Sequence, residues 1–102
     1  MSETANFLYT THATRETMVI DGPTPEEEAV LEKHFQYMKE MTAAGVVHLA
    51  GRTLNKEVKA FGLVVLHADS EVEARKVMEN DPGIKLGVMW AELLPFKQNV
   101  YS

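Results

Sequence analysis

Apolar positions recur along this chain with two different periods, and the switches between them lay out six elements. Residues 6–12 (NFLYTTH) alternate with period two and are rich in aromatic and β-branched side chains. They predict a strand with Phe7, Tyr9 and Thr11 on one face and Leu8, Thr10 and His12 on the other. Residues 13–24 read as a loop, punctuated by Asp21-Gly22-Pro23, and long loops are often functional. Thr24-Pro25-Glu26-Glu27 then opens a helix: Thr24 can cap, Pro25 suits the first helical position and Glu27 completes a capping box. Val30, Leu31, His34, Phe35, Met38, Met41 and Thr42 recur at helical spacing and predict its buried stripe, which Gly45 ends.

Residues 46–52 (VVHLAGR) predict a second strand, and 54–59 a polar connection turning near Asn55-Lys56. Residues 61–67 (FGLVVLH) are the most apolar run and predict the third strand. Ser70 and Glu73 form a second capping-box pattern, so a helix is expected over 70–80, with Ala74, Val77 and Met78 facing the core. Asp81-Pro82-Gly83 is expected to terminate it. Residues 87–94 (GVMWAELL) predict a fourth strand, closed by Pro95-Phe96.

The order βαββαβ is a split βαβ pattern. It predicts an α+β, ferredoxin-like sandwich: a four-stranded antiparallel sheet with both helices on one face. The opposite face then carries Val, Leu and Trp side chains with no covering layer. A second copy of the same sheet covers it most simply, so the layer arrangement predicts a homodimer, a dimeric α/β barrel that can assemble further.

The chain has 102 residues, of which 45% are apolar and 25% charged. That is the balance of a globular domain, and the length predicts one domain with its core from about residue 6 to residue 97. The net charge of −5 argues against binding the phosphate backbone of nucleic acid, which needs a basic face. There is no cysteine, so neither disulfide nor thiol chemistry enters. No apolar run is long enough to span a bilayer and no signal segment is visible, which predicts no membrane association and a cytoplasmic location. No glycine-rich phosphate loop of the dinucleotide type is present, so no cofactor is expected.

Two residues sit against local preference. His34 interrupts an apolar helix stripe that would take a leucine, and Asp81 places a carboxylate at a helix C-terminus, where the macrodipole is negative. Such departures are where a site is sought. His34 suits a general acid or base, because imidazole titrates closest to neutral pH, and Asp81 suits the group that orients it. Each also has a plain structural reading, a core histidine bonded to backbone and a turn residue before Pro82. Arg52, just past Gly51 at a strand end, is a candidate anion-binding group, and Arg15 in the first loop is another. For both, a solvated charge is the plainer reading. His12, His48 and His67 lie on three strands without ligand spacing, so no metal is expected. Tyr9 and Trp90 on sheet faces suit either a ligand cavity or a dimer interface. Glu26-Glu27-Glu28 suits a helix N-terminus and needs no function.

These segments together resemble the YciI-related (YCII) family of the dimeric α/β-barrel superfamily. The resemblance rests on FLYTTHATR, EKHFQYMKEMTAAG, VVHLAGRT, FGLVVLHADSEVEARKVMENDPGIKLGV and AELLPF, spanning about residues 6–97. It implies a catalytic pair, a helix histidine and an Asp-Pro aspartate, which fall on His34 and Asp81. Many members of the family carry Gly-Pro where this chain has Gly51-Arg52, so the cation at that position departs from the pattern. The resemblance and the residues together predict a small-molecule enzyme of isomerase or lyase type acting on a small, anionic compound. The rival reading is a non-catalytic ligand-binding or dimerisation module. A third is a structural protein with a satisfied core histidine. Because a stripe side chain faces the helix-covered side of the sheet, a His34 site is expected at an edge of the helix–sheet layer near the Asp81 turn, not between two sheets.

Overall fold

The structure is a computed structural model and describes residues 5–97 apart from Lys56 and Val58. Its elements run β1 (Ala5–Ala13), α1 (Thr17–Asp21), α2 (Pro25–Ala43), β2 (Val47–Arg52), β3 (Gly62–Ala68), α3 (Glu71–Asn80), α4 (Pro82–Lys85) and β4 (Met89–Phe96). The strands form one antiparallel sheet in the order β2-β3-β1-β4. This is the ferredoxin-like α+β arrangement, with α2 and α3 against one sheet face. The turn expected at Asn55-Lys56 lies partly outside the described residues.

The local signals act as their chemistry requires. Thr24 Oγ1 accepts from the Glu27 amide at 3.2 Å, and Glu27 Oε1 accepts from the Thr24 amide at 2.8 Å. Both otherwise orphaned amide donors are thereby met. Beyond α2, Gly45 turns to φ +79° and the Val46 amide donates back to the Met41 carbonyl at 2.9 Å, a left-handed close that glycine adopts without strain.

Four expectations need correction. The loop after β1 contains the five-residue helix α1. Asp81-Pro82-Gly83 does not simply stop α3: proline is pre-set for a first helical position, so the chain starts again as α4 with Asp81 as its N-cap. β4 begins two residues later than the pattern suggested and runs through Pro95-Phe96, which an edge strand tolerates because its outward amide needs no partner. On α2, Phe35 is 52% exposed and Thr42 is exposed. One residue is about 100° of helix rotation, so Phe35 overshoots the face centred on His34 and Met38. Tyr37 packs partly inward instead, its hydroxyl donating to the Val77 carbonyl at 2.8 Å.

The core lies between the sheet and α2–α3. Phe7, Tyr9, Val64, Leu66 and Ala68 from the central strands meet Met38, Ala74 and Met78 from the helices. Gly62 shows how tightly this layer is built. It pairs with Thr11, and a Cβ on Gly62 would run into the Thr11 Oγ1. Thr11 is buried and β-branched, so its side chain has little freedom to give way. Gly62→Ala is expected to cost about 2 kcal/mol by overpacking. In a domain of this size that is roughly a 10 °C drop in melting temperature, read by circular dichroism. An unchanged melting temperature would show that the sheet absorbs the methyl group.

Candidate active site

Asp81 is the fixed point of the site. It is fully buried, and its two carboxylate oxygens accept from three elements. The Gly83 amide donates to Oδ1 at 3.0 Å. The Tyr9 hydroxyl, rising from the middle of β1, donates to Oδ2 at 2.9 Å. His34 Nδ1, from the middle of α2, lies 2.7 Å from Oδ1 and 2.9 Å from Oδ2. A buried carboxylate is tolerable only with its lone pairs so occupied.

With a carboxylate as partner, Nδ1 carries the hydrogen, and a neutral ring then leaves Nε2 as the bare nitrogen. The His34 side chain is 12% exposed while that of Asp81 is sealed. The pair therefore sits at the boundary of the helix–sheet layer, inside the α2–α4 corner. Gly83 is packed so closely there that a Cβ would meet the Met89 methyl, with Asp81 and His34 as its next neighbours. Burial, and then the charge and hydrogen bond of Asp81, push the Tyr9 phenol far above its ordinary value. Burial and the same carboxylate also raise Tyr37.

The other sequence candidates lie apart from this pair. Arg15 makes a two-pronged contact with Glu27, at 2.9 Å from Nε and 2.6 Å from Nη2, and Nη2 also donates to the Gly22 carbonyl at 3.1 Å. Its guanidinium ties the α1 segment to the start of α2. Hydrogen bonds from Arg15 and the Thr24 amide bring the Glu27 carboxyl down to about 2, and Glu27 in turn raises Arg15. A carboxyl lowered on folding contributes stability above its ordinary value and loses it as pH falls toward the lowered one. The Gly22 amide, bonded to Met18, is thus expected to stay protected from hydrogen exchange through pH 4 and to open as pH nears 2. In Arg15→Gln the tie is absent at every pH, so the amide should exchange faster already at neutral pH, with no added loss between pH 4 and pH 2. Identical profiles would refute the Arg15 tie.

Arg52 is exposed at the end of edge strand β2, opposite Gly62, two strands or roughly 10 Å across from β1. It borders a cleft of about 240 Å³ lined by Leu49, Gly51, Thr53, Phe61 and Leu63. A second cleft of about 290 Å³ lies between His67, Asp69 and Glu73. Neither reaches His34. His12 stacks on Trp90 at 4.2 Å, and His48 meets His67 edge-on at 4.2 Å. Tyr9 and Trp90 separate: Tyr9 lies under the helices, while Trp90 stays 49% exposed on the open sheet face. Sequence reasoning missed the Tyr9 and Gly83 bonds to Asp81. The available signal was that Tyr9 alternates with Phe7 and Thr11, and a tyrosine on a buried face needs a partner for its hydroxyl.

A ferredoxin-like domain with a buried aspartate holding a surface-edge histidine is the class that fold and site define. The chain belongs to the YCII-related domain family, which it matches over residues 7–97. No curated protein matches it. Among solved structures it is similar to the 5-chloro-2-hydroxyhydroquinone dehydrochlorinase TftG of Burkholderia phenoliruptrix AC1100, in complex with 2,5-dihydroxybenzoquinone. The identity is 19%, covering 92% of this chain and 95% of that one, with a TM-score of 0.68. A dimeric ferredoxin-like protein from an uncultured marine organism is similar at 14% identity over 98% and 94% of the two chains, TM-score 0.49. Among the described residues, no helix is long and apolar enough to cross a membrane.

Proposed function

We propose that this protein is a small-molecule enzyme of acid–base type, an isomerase or lyase, in which His34 carries the proton and Asp81 orients and balances the imidazole. One observation supports this above the others. A fully buried carboxylate faces the inner nitrogen of a histidine at 2.7 Å, while that histidine retains solvent access. A merely structural histidine would have both nitrogens satisfied and sealed. A proton taken by Nε2 leaves an imidazolium whose charge Asp81 offsets, and the same nitrogen can return it. Elimination from a hydroxylated ring, the kind of reaction named for TftG, falls within this class.

The test uses chloride release from 5-chloro-2-hydroxyhydroquinone as one arm. The other arm is nuclear magnetic resonance titration with small enols and phenols. A ligand that shifts the His34 ring signals, together with turnover lost in His34→Ala, supports the reading. Chloride release that persists in His34→Ala, or a panel in which no compound perturbs His34, overturns it.

We also propose that the protein is a homodimer through its open sheet face. Leu49, Val65, Leu8 and Leu94 are successive cross-strand partners and form one aliphatic row across all four strands on the side away from the helices. Leu49 and Leu94 remain 58% and 48% exposed. A row of this kind is better covered by a second sheet than by water.

A further inference from the structure

We propose that Tyr9 is a positioning residue that presets His34 as the base of the resting site, so that the reaction begins with proton abstraction and the substrate is a carbon or oxygen acid. This rests on the acid–base reading of His34 and Asp81 above, and it deepens that reading by fixing the direction of the first proton transfer.

The hydrogens that converge on the Asp81 carboxylate set the tautomer of His34. Asp81 has two oxygens and no solvent contact. One donor is a backbone amide, Gly83, which can only donate. The second is the Tyr9 hydroxyl, which can donate or accept in principle. Here it is held to donating: the ring is fully buried on the central strand β1, and burial and then Asp81 keep the phenol protonated. The other neighbour of that hydroxyl is Met38 Sδ at 4.0 Å, at most a weak acceptor. Both fixed partners therefore present hydrogens to Asp81, and neither presents a lone pair.

The carboxylate is thus held as an acceptor on both oxygens. His34 Nδ1, within 2.9 Å of both, must present a hydrogen as well. A neutral imidazole has one N–H, so Nε2 is left with its lone pair outward. In the first step the substrate C–H or O–H bond breaks, its electron pair stays on the substrate as an enolate or phenolate, and the proton bonds to Nε2. In the second, the imidazolium proton goes to a different substrate carbon. Alternatively the electron pair expels a leaving group such as a halide, and the proton passes to solvent.

Without the Tyr9 hydrogen, Oδ2 loses a buried partner. The ionised carboxylate then loses part of its support, so Nδ1 can pass its hydrogen to Asp81 while Nε2 takes one from solvent, and the ring loses its single tautomer. The experiment uses the full chain with isotope-labelled histidine, with His34 assigned through His34→Gln and its tautomer read from long-range proton–nitrogen correlations. The wild type is expected to show the Nδ1–H form alone, and Tyr9→Phe a mixture with comparable amounts of both forms. A pure Nδ1–H ring in Tyr9→Phe overturns the role of Tyr9 and leaves the His34–Asp81 reading standing. An Nε2–H ring in the wild type removes both. If Tyr9→Phe does not fold, difluorotyrosine at position 9 keeps the ring and hydroxyl but makes a stronger donor. It should move the His34 Nδ1 resonance, and an unmoved resonance overturns the proposal.

Discussion

Asp81→Ala is expected to lower the melting temperature by roughly 15 °C, corresponding to about 3 kcal/mol in a domain of this size. The loss is large because three donors from three elements converge on one buried carboxylate. Removing it strands the Tyr9 hydroxyl, the Gly83 amide and the His34 ring where water reaches poorly. It also removes the N-cap of α4 and the link by which α2, β1 and the α3–α4 corner are tied together. Asp81→Asn separates fold from chemistry. Its amide oxygen can still accept from Gly83, and its amide hydrogens can be met by the Tyr9 oxygen once the hydroxyl, no longer facing a charge, swings to its weak acceptor Met38 Sδ. The stability cost should therefore be about 1 kcal/mol. The negative charge opposite the imidazolium is gone, however, and one half of the group facing Nδ1 is now a donor. Turnover of any substrate found should fall on the order of ten-thousandfold, as for the aspartate of other histidine–aspartate pairs. The two variants are compared by thermal melting and by rate. Equal melting losses would mean that the charge, not the hydrogen bonds, supports the fold. Equal turnover in Asp81→Asn and wild type would remove Asp81 from the chemistry.

Much of this site was legible in the chain, and the parts that were not have a common cause. His34 and Asp81 stood out because each violates a one-dimensional preference, apolar periodicity for the one and helix-dipole sign for the other. The topology then brings α2 and the end of α3 side by side over the same sheet face. The partners of Asp81 did not stand out. Tyr9 fits its strand pattern perfectly, and Gly83 reads as a breaker after Pro82. Their role comes from a contact 72 residues away for Tyr9, which no local pattern encodes. Asp81 itself was read at a helix end but not as the start of another helix, because Asp-Pro serves as both a stop and an N-cap. Arg15 failed differently. Its chemistry suits an anion, and the anion it meets is Glu27 in its own chain. Phe35 shows the limit of periodicity: a stripe predicts which side faces inward, not where along its width contact ends.

Placing aspartate at both Leu49 and Leu94 is expected to convert a dimer into a monomer, so that light scattering at micromolar concentration falls from twice 11.4 kDa to 11.4 kDa. The two residues mark the ends of the aliphatic row, on edge strands β2 and β4. Both are about half exposed, so the substitutions leave the core of each protomer alone, which the inner pair Val65 and Leu8 would not. In a two-fold arrangement each substitution occurs twice, and four carboxylates would enter a surface whose association depends on excluding water. Desolvating even one unpaired charge costs several kcal/mol, comparable to the net free energy of a micromolar complex. The equilibrium should therefore shift by several orders of magnitude. Trp90, 49% exposed on the same face and the chain's sole tryptophan, supplies a second reading, because its emission should move to longer wavelength as the face becomes hydrated. The His34–Asp81 contact lies on the opposite side of the sheet and should keep its tautomer in the monomer. A wild-type chain that is already monomeric at micromolar concentration would remove the paired-sheet architecture and leave the open face to some other partner. A variant that stays dimeric would move the interface to the helices or the sheet edges.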